Sequence, residues 1–329
     1  MRAIQIAAFG VPEKVIEIVE VPEPAVPKTG EALLQVEYAP LDHHDLLLAQ
    51  GTYPTLPSLP TVIGHEGVAT VVSTGSGVGH IATGDRVLVP YGTYAWAERV
   101  VAPASALHRL PDELDLHQAA MARINPTTAG LLLRYGNLSP GSWIVQNAAN
   151  SGVGRSVIVL ARQRGLRTIN LVRRPELVDE LSALGADLVV VAGAGTEREV
   201  RARIGDEPVL LGLDGVSGAA TGTLIEVLTD GAVVVSYAHM SNDPFAPDPA
   251  ALAAKSITAQ GFYMYAPDQR DGLAAASAET QKLLVTGALA LPVDAIYPFD
   301  HFAEALAHLR SGGKVLLDFN PERSNRHDH

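Results

Sequence analysis

The stretch "NAANSGVGRS", Asn147–Ser156, decides how the chain is read. A turn that cradles a dinucleotide pyrophosphate usually reads G-x-G-x-x-G. Here Ala149 and Ser151 hold the first two glycine positions, Gly154 keeps the last, and Gly152 adds another. The turn follows the apolar "SWIV" and opens "GVGRSVIVLARQRG", in which Val153, Val157, Leu160 and Ala161 recur at helical spacing. Strand, small-residue turn and amphipathic helix in that order put backbone N–H groups and the positive end of a helix dipole where a phosphate would sit. Ala149 and Ser151 are small enough for the backbone to approach such a ligand, and the Ser151 hydroxyl and Asn150 amide add donors.

Working outward, the next strand-like run, "RTINLV", ends in Arg173 and Arg174 with no acid before Pro175. An Asp or Glu there would bond a ribose 2′-hydroxyl, whereas two guanidinium groups fork onto a 2′-phosphate. The pair predicts NADPH as cofactor; taken alone, it is also what a solvated helix entry looks like. From residue 118 to 264 strand-like and helix-like segments alternate, which predicts a doubly wound parallel sheet with helices on both faces. Residues 1–117 instead carry short β-like runs such as "EALLQVEYAP", "GVATVVSTG" and "AWAERVVAP", broken by Gly and Pro. They predict a mainly antiparallel, barrel-like domain. Residues 265–329 hold too few elements for a domain and are expected to rejoin the N-terminal part.

Composition narrows the function. With 329 residues, 47% of them hydrophobic, the chain suits two well-buried domains. A net charge of −12 argues against a nucleic-acid partner. The absence of cysteine excludes disulfides, thiolate zinc sites and a cysteine nucleophile. No apolar run approaches the roughly 18 residues of a membrane span, and "MRAIQIAAFGVPEKV" lacks a signal-peptide core. The expectation is a soluble, cytoplasmic protein.

With "GHEG" (64–67) and the late "GGKVLL", these features make the chain resemble the medium-chain dehydrogenase/reductase superfamily from end to end. Within it the chain is most similar to the zinc-free, mitochondrial-type trans-2-enoyl-thioester reductases, relatives of the NADPH quinone reductases. The matches are "QGTYPTLPSLPTVIGHEGVA" (50–69), "INPTTAGLLL" (124–133), "VQNAANSGVGRSVI" (145–158) and "RTINLVRR" (167–174), with weaker ones at "VSYAHM" (235–240) and "QGFYMY" (260–265). The resemblance implies a GroES-like catalytic domain (1–117 with 265–329), a Rossmann domain (118–264), an active site between them, and a homodimer. It implies cofactor contacts from Asn125, from Asn150, Ser151, Gly152, Val153 and Gly154, and from Arg173 and Arg174. Further contacts would come from Tyr237, Ala238, His239 and Met240, from Phe262, Tyr263, Met264 and Tyr265, and from Lys314. It also implies that Tyr53, in "QGTYP", supplies the proton; from the residue alone, Tyr53 reads as a turn aromatic packed between Pro54 and Pro57. Two departures stand out. The usual Arg-x-Arg is a direct Arg173–Arg174 pair, and Tyr263 stands where a tryptophan is common.

"GHE" is also similar to the zinc alcohol dehydrogenases, whose ligand positions align with Asp42, His65 and Ile124. Ile124 cannot ligate. The run Asp42–His43–His44–Asp45 carries donors, but adjacent residues of a strand or turn point apart, so no metal is expected. The implied reaction is NADPH-dependent reduction of a conjugated C=C bond, with 2-enoyl thioesters as substrates. The alternatives are reduction of quinones, of small enones or of 2-haloacrylate-type acids, and, outside enzymes, a non-catalytic NADPH-binding protein.

Overall fold

The computed structural model describes residues 1–320; the last nine residues of the expected C-terminal return, 321–329, lie outside the described residues. Fifteen strands are found among them: β1 (Arg2–Ile6), β2 (Ile16–Glu20), β3 (Glu31–Leu41), β4 (Thr61–Val62), β5 (Val68–Thr74), β6 (Arg86–Leu88), β7 (Arg99–Pro103), β8 (Trp143–Gln146), β9 (Arg167–Val172), β10 (Leu188–Val191), β11 (Val209–Asp214), β12 (Val233–Ser236), β13 (Thr258–Gly261), β14 (Ala295–Pro298) and β15 (Val315–Asp318). Two compact units contain them, Met1–Ile124 with the chain from Ala290 onward, and Asn125–Leu289.

The first unit is mainly antiparallel. A small sheet runs β2-β1-β4, and a larger one runs β14-β15-β3-β5-β6 with β7 also on β3. The long β3 joins β5, β7 and β15, because its inward side chains, Leu34 and Val36 among them, meet those of the neighbouring strands in one core with Trp96, Phe302 and Phe319. Phe299 stacks on Phe319 with ring centroids 4.8 Å apart, and the burial of both in that core binds the C-terminal return to it.

The second unit is a six-stranded, all-parallel sheet in the order β10-β9-β8-β11-β12-β13. Strands β10 (LVVV) and β12 (VVVS) are mostly apolar, as in sheets with both faces covered. Chain order reverses between β8 and β11, the place where this type of sheet leaves a crevice beyond the strand ends. A buried polar ladder crosses the sheet: Gln146 Nε2 donates to Asn170 Oδ1 (2.7 Å) and Asn170 Nδ2 donates to the Leu188 carbonyl (3.1 Å). The helix Arg270–Val285 belongs to this unit and not to the return. Arg164 pairs with Glu279 at 2.6 Å, and Ala276 packs where a side chain on Gly130 would lie. The unit boundaries therefore fall at 124 and 289, later than the 117 and 264 expected from sequence rhythm.

Candidate active site

In the second unit the glycine-poor turn is built as a helix cap. Ser151 is the N-cap of the helix Gly152–Gln163, and its hydroxyl accepts from Gly154 N at 3.1 Å. A serine at a former glycine position thus satisfies one of the helix's free amides itself. The left-handed backbone of the turn falls on Ala148, with φ of 48°. Gly154 must lack a side chain, because a Cβ would lie 2.6 Å from the carbonyl oxygens of Ala148 and Ala149. The Gly154 carbonyl in turn accepts from Gln146 Nε2 at 2.9 Å, which ties the helix start to β8. Asn125 reaches the same turn, its amide lying where a Gly152 side chain would be. A narrow backbone cradle at a helix N-terminus, beside the end of β8, fits a pyrophosphate.

The remaining cofactor candidates lie at the ends of the neighbouring strands. Arg173 and Arg174 leave β9 exposed, and Arg174 stands 3.7 Å from Glu176. Tyr237 is pushed well above the ordinary phenol range by burial, with a hydrogen bond from Ser151 acting against it. His239 lines a cavity of about 370 Å³ with Ser217, Ser236, Asn242 and Phe245, and Ala238 accepts from the Ser217 hydroxyl at 3.2 Å. Met240 is half exposed at 48%. Past β13, Met264 is buried and its sulfur accepts from Thr128 at 3.7 Å, while the Tyr263 and Tyr265 rings pack edge-on at 5.8 Å and Phe262 meets Tyr135 at 6.4 Å. Sequence reasoning missed Asp214. Its buried carboxylate accepts from Asn147 Nδ2 (2.7 Å), Val216 N (3.0 Å), Ser217 N (2.8 Å) and Thr221 Oγ1 (2.5 Å), and so fixes the loop after β11 beside the turn. The available signal was an acid closing the apolar run "VLLGL" just before a glycine.

In the first unit Tyr53 follows the helix His43–Gln50, which ends at a left-handed Gly51 (φ 77°). Its ring leans on the imidazole of His65, with centroids 4.6 Å apart and planes at 52°. His65 is buried and anchored to Asp45: Nδ1 lies 2.8 Å from Asp45 Oδ1, and His65 N donates to the same oxygen at 3.1 Å. Asp45 Oδ2 accepts from Asp42 N at 3.0 Å, half of a capping box. Burial alone would raise the Asp45 carboxyl, but His44 and the hydrogen bond from His65 outweigh it and hold the carboxyl below its usual range. Burial lowers His44, whose ring packs edge-on against His65 at 4.9 Å. Asp45 is therefore a carboxylate at neutral pH, with both oxygens engaged in hydrogen bonds. Next along the chain, Glu66 is buried; Oε2 accepts from Arg123 N (3.1 Å) and Ile124 N (2.9 Å). Burial and the nearby Asp42 push its carboxyl up to about 8.

One expectation changes here. The Asp42–Asp45 run is the start of a helix, not a strand or turn, so its members do not all diverge: His44, Asp45 and His65 bring ligand-type atoms within 4.8 Å of one another. The set still does not fit a zinc dehydrogenase centre, because Asp45 Oδ1 is occupied by two N–H groups of His65 and the third aligned position is Ile124. Lys314, for which the resemblance implies a cofactor contact, pairs through its ammonium with Asp42 in the first unit.

Comparison with known proteins agrees with both units. Residues 28–112 match the family described as alcohol dehydrogenase GroES-like domain, and residues 152–280 match the zinc-binding dehydrogenase family. The mitochondrial enoyl-[acyl-carrier-protein] reductase of Homo sapiens is 34% identical over 319 residues, covering 93% of this chain and 84% of its own. That of Caenorhabditis elegans is 34% identical over 340 residues, covering 99% and 98%. Among solved structures, a mycobacterial quinone oxidoreductase has a TM-score of 0.81 at 27% identity, covering 97% of this chain and 99% of its own. A mycobacterial protein complexed with NADPH reaches a TM-score of 0.85 at 27% identity, with 97% and 100% covered. The cytoplasmic location expected from the N-terminal sequence is corrected by these relatives, since the enoyl reductases matched are mitochondrial proteins. The chain belongs to the medium-chain dehydrogenase/reductase superfamily, in its enoyl thioester reductase and quinone oxidoreductase-like branch.

Proposed function

We propose that the chain is an NADPH-dependent, zinc-free reductase of conjugated C=C bonds, with 2-enoyl thioesters as its substrates. The observation that carries this reading is Tyr53, a protic side chain seated on the buried Asp45–His65 pair in a chain 34% identical to enoyl reductases. When bound, NADPH supplies the hydride that is added to the β-carbon. The turn Asn150–Gly154, with Asn125, holds the pyrophosphate, and Arg173 and Arg174 select the 2′-phosphate. Arg173 is exposed at the strand end with no acid beside it, and the direct pair serves in place of Arg-x-Arg. Tyr237 to Met240 and Phe262 to Tyr265 line the approach to the nicotinamide. The phenol of Tyr53 donates its proton to the α-carbon, so that hydride and proton together convert the alkene to CH–CH. Charge that builds on the thioester oxygen is met by N–H and O–H donors instead of a metal.

A quinone is the second reading, favoured by the mycobacterial quinone oxidoreductase at 27% identity. One turnover panel separates the two, following NADPH and NADH with crotonyl thioester, a quinone, a small enone and a ketone. The thioester with NADPH should turn over fastest, and Tyr53→Phe should lower its kcat about 10²–10⁴-fold with NADPH affinity unchanged. Faster quinone turnover, insensitive to Tyr53→Phe, would give the second reading instead. Among the described residues β13 is an edge strand of the parallel sheet, which supports a homodimer joined through that strand.

A further inference from the structure

Tyr53 does not stand on a generic apolar wall. It leans on an imidazole at 4.6 Å, and that imidazole is one of the few buried polar rings of the first unit. His65 is anchored at ring and backbone. Both its backbone N–H (3.1 Å) and its Nδ1 (2.8 Å) are held by one oxygen of Asp45, a residue only 1% exposed. Asp45 is itself pinned through its second oxygen by Asp42 N at 3.0 Å, at the first turn of a helix whose far end leads into Tyr53. The His44 ring closes another side of His65 at 4.9 Å, and the Tyr94 ring approaches it at 6.1 Å. A buried carboxylate, a single-orientation imidazole and the phenol thus form a chain of contacts in which each member fixes the next.

We propose that His65, locked by Asp45, is the positioning residue for the proton donor: its ring sets the tilt and place of the Tyr53 phenol. This rests on the reading of Tyr53 as the donor. A carboxylate deep in an apolar core is costly unless it accepts several hydrogen bonds. Asp45 accepts three, so its place in this core is explained by the geometry it imposes on His65. A proton donor must meet its acceptor to within fractions of an ångström, and displacement of about 1 Å costs up to about 10²-fold in rate. A histidine tied to a buried anion through both its ring and its backbone N–H supplies that constraint more firmly than loop residues 51–60 would alone.

The test is a double-mutant cycle on the full chain with crotonyl thioester and NADPH. His65→Asn keeps an amide that donates to Asp45 but removes the ring beneath Tyr53. It should lower kcat about 10–100-fold, leaving the NADPH dissociation constant, read by cofactor fluorescence, as in the parent. In the Tyr53→Phe background the same substitution should change kcat by less than about twofold, because there is no longer a proton to aim. Asp45→Asn, which loosens the ring without removing it, should act in the same direction and more weakly. It carries the cycle if His65→Asn fails to fold. An equal loss from His65→Asn in both backgrounds would make His65 merely structural and overturn the proposal, with Tyr53 still the donor. Full turnover of Tyr53→Phe would overturn the donor assignment itself, a result distinct from the first.

Discussion

Glu66 carries its proton to unusually high pH, and stability should report it. Its carboxyl has an ordinary value of 4.5 and is pushed up to about 8 in the fold by burial and by Asp42. Between those values the folded chain keeps a proton that the unfolded chain has released, so stability from this group falls as pH rises through the window and is level outside it. Glu66→Gln retains an oxygen for Arg123 N and Ile124 N and removes the titration. Its melting temperature should gain on the parent's steadily from about pH 5 to about pH 8; a gap that stays constant with pH would show that Glu66 is ionised in the fold. Other residues at this scale were unevenly legible. Arg173 and Arg174 stood out because a charge at a strand exit is a local property. Asp45 and His65 lie 20 residues apart, and nothing in their spacing says that a helix cap and a strand-entry loop bring them to 2.8 Å. Tyr53 was legible only through resemblance, since a tyrosine among prolines looks the same whether it packs or reacts.

The helix Gly152–Gln163 shows what periodicity can and cannot supply. Its apolar face was readable because Val153, Val157 and Leu160 repeat with the helical turn, and all are buried. Motif alignment set Ala149 in the place of the turn glycine, yet the left-handed residue is Ala148 (φ 48°), one position earlier. The Asp42–Asp45 run was misread for a related reason: its polar residues mask a short helix that is stabilised by its cap and by tertiary burial instead of by an amphipathic stripe. Two substitutions separate the roles within the turn. Ser151→Ala removes the cap and should cost about 1 kcal/mol of stability with modest loss of NADPH affinity. Gly154→Ala forces a Cβ against two carbonyls at 2.6 Å and should weaken NADPH binding more than Ser151→Ala does. A thermal melt and an NADPH titration on both variants check the order, and Gly154→Ala binding as tightly as the parent would refute the close-approach argument.

At the scale of the molecule, the parallel sheet was readable because alternating strands and helices admit few topologies. The division of the chain was less so: residues 265–289 carry a helix whose partners, Gly130 and Arg164, lie more than a hundred residues earlier, and no local signal marks such a contact. The edge strand β13 predicts association, so light scattering at micromolar concentration should give twice the 34.6 kDa of one chain, and a purely monomeric reading would remove the β13 interface. The first sheet also fixes the order of events during synthesis. β5 and β7 pair with β3 from Glu31 to Tyr38, and β15 pairs with its far end, Leu316 opposite Pro40 and Leu317 opposite Ala39, so among the described residues the Ala39–Leu41 end of β3 has no strand partner until β15 has been translated. At about 5–20 residues per second that interval is on the order of tens of seconds. The parallel-sheet unit, contiguous from Asn125 to Leu289, leaves the ribosome complete before it ends. The sheet that β3 begins is thus completed after the parallel-sheet unit, and through that interval the open Ala39–Leu41 end of β3 is the nascent chain's point of exposure to aggregation and to chaperones.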